Sequence, residues 1–70
     1  MKTNNIDYKE KFLQIADKEI AKDGTKANND TLDRICDCMY QEFGVDISED
    51  RDLEHFVFGE YLDAHPYLTL

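Results

Sequence analysis

The sequence predicts an all-α fold: a small three-helix bundle with a short apolar C-terminal tail packed against it. Three observations carry that expectation. Apolar residues recur at helical spacing in three separate stretches. Each stretch is bracketed by residues that cap or stop helices. The chain has 70 residues, which makes a single domain, 1–70. A chain this short buries about 60% of its unfolded surface, and its core supplies roughly 3–5 kcal/mol. Tight helix packing is the expected solution.

The first helix is expected over roughly 7–23. Asp7 and Glu10 have capping-box spacing, and Ile6 is placed to act as the hydrophobic staple. Phe12, Leu13, Ala16 and Ile20 form the apolar stripe, with Ile15 at its edge. Gly24 closes the helix, with Lys18 and Lys22 near the negative end of its dipole. Residues 24–29 are rich in turn formers and read as a loop.

The second helix is expected over roughly 30–43. Leu32, Ile35, Cys36, Met39 and Phe43 fall within an arc of about 100° at 3.6 residues per turn. It is the cleanest helical signal in the chain. Asp30, Asp33 and Asp37 lie together on the opposite side, and Gly44 ends the helix.

The third helix is expected over roughly 49–64, capped by Ser48, with Glu49 and Asp50 in its first turn. Pro66 stops it. Its apolar residues, Leu53, Phe56, Val57, Phe58, Tyr61, Leu62 and Ala64, span about 240° of the wheel, far more than a surface helix needs. The helix is therefore central to the bundle, or one of its sides meets another molecule. Glu60 falls inside that arc, so it must sit at a rim or be paired. The tail 67–70 is apolar and should fold back over Phe58 and Leu62 or dock on a partner.

Charge is divided unevenly. Residues 1–27 hold six Lys and five acids, a net of +1, while residues 28–70 hold two Arg and eleven acids, a net of −9. The result is a one-sided negative field, which favours cationic partners. Duplex binding by the chain itself is disfavoured, because it rests on Lys and Arg neutralising phosphates.

Several chemistries are set aside. Cys36 and Cys38 point about 200° apart on a helix, so they neither pair nor share a metal, and free thiols are expected. Residues 46–57 partly follow a calcium loop. However, Arg51 stands where Gly is needed for the turn, and Val57 where a bidentate Glu is needed. His55 and His65 have no nucleophile beside them, and so small a domain leaves little room for a substrate pocket. No enzyme activity, metal or cofactor is expected. The N-terminus lacks a signal peptide and no apolar run is long enough to span a membrane, so a cytoplasmic protein is expected.

Two functional readings follow. In the first, the chain is a small acidic inhibitor or adaptor that presents carboxylates to a basic protein. The favoured target is a nucleic-acid-handling protein, in the manner of phage and mobile-element counter-defence mimics. Its contact residues would be Asp46, Glu49, Asp50, Asp52 and Glu54, supported by Asp30, Asp33 and Asp37. In the second, it is an oligomerisation or hydrophobic docking module, a homodimer for instance. The contact would then run through Phe58, Leu62, Tyr67, Leu68 and Leu70, with the acids maintaining solubility.

Overall fold

The computed structural model describes residues 7–70. Helix α1 (Tyr8–Asp23) leads through a 3₁₀ turn, Gly24–Lys26, to α2 (Asn29–Phe43). A second 3₁₀ turn, Ile47–Glu49, precedes α3 (Arg51–His55). A π-helical stretch, Phe56–Tyr61, continues α3 into α4 (Leu62–Ala64), and the tail closes as a 3₁₀ turn, Pro66–Thr69. The backbone stays in the right-handed helical region across both junctions, so 51–64 is one helical run. The fold is all-α, three helical rods and short turns, with no strand among the described residues.

Each start has an identifiable cap. Asp7 accepts hydrogen bonds from the backbone N–H groups of Lys9 and Glu10, while the Glu10 carboxylate accepts from Gln14 Nε2. Ile6, the expected staple, lies outside the described residues. For α2 the cap is Asn28, one residue earlier than expected. Its Oδ1 accepts from the Asp30 N–H at 3.0 Å, and Thr31 Oγ1 accepts the Asn28 N–H at 3.1 Å, which completes a capping box. The third helix starts later than expected. Ser48 sits within a 3₁₀ turn capped by Asp46, and Asp50 is the cap of α3 rather than a residue of its first turn.

Phe12, Ile15 and Ala16 of α1 face Leu32, Ile35 and Met39 of α2, with Leu53, Val57 and Tyr61 from the third rod. Ile47, Ala27 and Leu68 close the core from the connecting turns and the tail. The Phe12 ring meets Phe56 and Tyr61 edge-on, at 6.5 and 5.0 Å between centroids. Burial pushes the Tyr61 hydroxyl up to about 12.

Three expectations are corrected by this packing. The α1 stripe is rotated: Leu13 is exposed, and Glu19 is buried in its place. The third helix is not central, since Phe58 is 47% exposed and Leu62 half-buried on its outer side. The tail packs against α2 and α4 through Leu68, which is fully buried, so Leu68 is a core residue and not part of a contact surface. Glu60 is exposed, at the rim.

The glycines differ in what they require. Gly44 is left-handed at φ 67° and ψ 24°, as a helix-ending Gly should be. Gly24 has φ 59° but ψ −128°, a region that residues with a Cβ rarely enter. Gly59 is helical, and a Cβ there would make ordinary contact at 3.8 Å with His55 Nδ1. Gly59→Ala should therefore stabilise the fold by about 0.5–1 kcal/mol through lost backbone entropy in the unfolded chain. Gly24→Ala should destabilise it by about 1–3 kcal/mol, although the space around Gly24 is open. Thermal melts of the two variants check this. A lower Tm for Gly59→Ala would mean that the π-helical stretch does not tolerate the methyl group.

Candidate functional site

The eight acids expected to make one contact surface are divided by the fold. Asp33 and Asp37, four residues apart on α2, line a cleft of about 500 Å³ together with Asp46 from the connecting turn. Its other lining residues are Cys36, Tyr40, Ile47, Ser48 and Phe58. Asp50 and Asp52 line a separate cleft of about 300 Å³ beside Asp7, Tyr8, Lys9 and Leu53. Asp30, Glu49 and Glu54 are exposed and line neither cleft.

The two clefts differ in electrostatics. In the second, Lys9 stands among the acids and its Nζ lies 5.7 Å from the centroid of Phe56. Among the described residues, the first is lined by three carboxylates and no Lys or Arg. Cys36 is pushed up to about 11, first by burial and then by the charges of Asp33 and Asp46. Cys36 is therefore a protonated thiol at neutral pH, and its value as a nucleophile or metal ligand is low. Both cysteines are free. Among the described residues, no three of His, Cys, Asp and Glu converge to hold a metal ion.

Asp46 has a structural share in the first cleft. Its Oδ1 accepts from the Ser48 N–H at 3.1 Å and from Ser48 Oγ at 2.7 Å, and both bonds fall on one oxygen. Asp50 is similarly engaged, accepting the Leu53 N–H at 3.1 Å.

The aromatic residues separate the first cleft further. Six of the eight Phe and Tyr side chains lie in ring–ring contacts: Tyr8 with Phe43, Phe12 with Phe56 and Tyr61, and Tyr61 and Tyr67 on either side of His65. Tyr40 and Phe58 are the two outside that network. They are 58% and 47% exposed, and both line the first cleft. Tyr67 and Leu70 of the expected apolar contact set are exposed at the tail and do not line this cleft.

Sequence reasoning missed Tyr40, Cys36, Ile47 and Ser48 as cleft residues. For Tyr40 a signal existed. It lies seven residues after Asp33 and three after Asp37, so it shares their helix face. The meeting of Phe58 with Asp46 depends on how the third rod packs and has no local signal.

A second group missed in the sequence joins α1 to α2. Glu19 is only 4% exposed. Its Oε1 accepts from Arg34 Nε at 2.7 Å, and its Oε2 faces Lys22 Nζ at 3.1 Å. Arg34 Nη2 reaches Asp23 Oδ2 at 3.0 Å, and the Thr31 hydroxyl donates to that same oxygen. The Arg34 and Lys22 hydrogen bonds hold the Glu19 carboxyl below the usual carboxylate range. The Thr31 hydroxyl and then Arg34 do so for Asp23. One of the two arginines is thereby engaged in the fold.

Comparison of the chain with known protein families, with characterised proteins and with solved structures gives no match. No helix among the described residues is long and apolar enough to cross a membrane.

Proposed function

We propose that the protein is a small cytoplasmic binding module, acting as an inhibitor or adaptor, whose acidic cleft receives a basic surface of another protein. The observation that carries this reading is the composition of one cleft: Asp33, Asp37 and Asp46 with two exposed aromatic side chains and, among the described residues, no cation. Carboxylates on helices and turns accept charge-assisted hydrogen bonds from Arg and Lys, and the aromatic rings add apolar contact area. The overall charge of −8 would steer such a partner from a distance. A nucleic-acid-handling protein is the favoured target, since its phosphate-binding surface is basic. Phe58, one of the five residues of the apolar contact set, shares the cleft with the acids.

The experiment has two stages. A tagged protein is used to capture partners at low and high salt, beside an Asp33→Asn/Asp37→Asn/Asp46→Asn variant. The amide introduced at position 46 would keep a carbonyl acceptor for the turn. A captured nucleic-acid-binding protein is then assayed for nucleic-acid binding with the module added. The expected results are salt-sensitive capture by the native chain, loss of capture in the triple variant, and competition with nucleic acid. Capture that survives both salt and the triple substitution would reject the acidic cleft as the contact.

A further inference from the structure

Resting on that reading of the cleft, we infer that its preferred occupant is an arginine side chain of the partner. The guanidinium would lie on the Tyr40 and Phe58 rings and be hydrogen-bonded by Asp33, Asp37 and Asp46.

Three observations on the cleft point to this chemistry. First, Tyr40 and Phe58 stand outside the ring–ring network that engages the other six aromatic side chains, and both line this one cleft. Exposed rings of this kind favour a planar, weakly hydrated cation, which stacks on an aromatic face. Second, the carboxylates exceed what the fold uses. Asp46 is engaged through Oδ1, which leaves Oδ2 for an incoming donor. Asp33 and Asp37, one turn apart and exposed, can meet several N–H groups of one guanidinium. Third, among the described residues the cleft is lined by no Lys or Arg, and Arg34 is bound by Glu19 and Asp23.

The alternatives fit less well. A lysine ammonium is a compact, strongly hydrated charge, and it would gain from the acids but little from the rings. A second copy of the chain would bring its own −8 charge to three carboxylates, and the two would repel. The cleft volume of about 500 Å³ exceeds one side chain, so the arginine would enter with part of its flanking segment.

The test is a titration of the full chain, followed by amide NMR, with two peptides: acetyl-Gly-Arg-Gly-Arg-Gly-amide and its lysine counterpart. The arginine peptide should bind about two- to fivefold more tightly, with shifts centred on residues 33–48 and Phe58. Tyr40→Ala and Phe58→Ala should bring that ratio close to one. Asp33→Asn and Asp37→Asn should weaken both peptides. Equal affinity of the two peptides, with shifts still in the cleft, overturns the arginine assignment and leaves the acidic reading in place. Shifts elsewhere, or none with either peptide, overturn both.

Discussion

Leu68→Ala should leave much of the chain unfolded at room temperature, while Phe58→Ala should leave it folded. Leu68 is fully buried among core residues, although it lies close to the C-terminus in a tail that looks dispensable. Truncating a buried Leu costs about 2–5 kcal/mol, the lost transfer energy plus that of the cavity left behind. The whole stability expected of a domain this size is about 3–5 kcal/mol. The two magnitudes are comparable, so one truncation in the tail can empty the native state. Phe58 is 47% exposed, and its truncation should cost about 1 kcal/mol or less. Far-UV circular dichroism with a urea titration separates the two outcomes. A Leu68→Ala variant melting within a few degrees of the native chain would remove the tail from the core. Collapse of Phe58→Ala would make Phe58 a core residue and undermine the cleft.

The difference between those two residues was not legible in the sequence, for a physical reason. Both lie in the strongly apolar C-terminal third, and a 3.6-residue wheel assigns Phe58 to the far side of Leu53 without saying what covers that side. The hydrogen bond from the Leu62 N–H to the Val57 carbonyl spans five residues, so the wheel's period fails across Phe56–Tyr61. The stripe of α2 was legible because nothing interrupts it: Leu32, Ile35 and Met39 are buried, Cys36 and Phe43 partly so. The stripe of α1 was misread because its true members, Phe12, Ile15, Ala16 and Glu19, end in a carboxylate. A period count treats Glu19 as a break and turns the face toward Leu13. Burial of Glu19 depends on Arg34, fifteen residues away, and periodicity within α1 does not contain that partner. The site shows the same division. Asp33 and Asp37 were placed together by helix geometry, whereas Asp46 and Phe58 join them only through tertiary packing.

Arg34→Met should lower Tm by roughly 5–10 °C at neutral pH, and its deficit should shrink in acid. Arg34 is the centre of the link between α1 and α2, hydrogen-bonded to Glu19 and ion-paired with Asp23. Without it, the Glu19 carboxylate remains buried and, among the described residues, is paired with Lys22 alone. Removing one member of such a pair is worse than replacing both, because a buried charge loses part of its compensation. The sign of the pH effect follows from the directions of the shifts. Arg34 and Lys22 lower the Glu19 value, and Thr31 and Arg34 lower the Asp23 value. A carboxyl held below its unfolded value stabilises the fold above the ordinary carboxylate range. That contribution is lost as pH falls through the folded value. The Arg34→Met variant has less of it to lose. The curves of Tm against pH for native and variant chains should therefore converge below about pH 4. The comparison must be a difference, because protonating the other acids of a chain with charge −8 relieves self-repulsion in both proteins. A gap that stays constant from neutral pH into acid would mean that Arg34 acts through packing of its side chain and not through the two carboxylates.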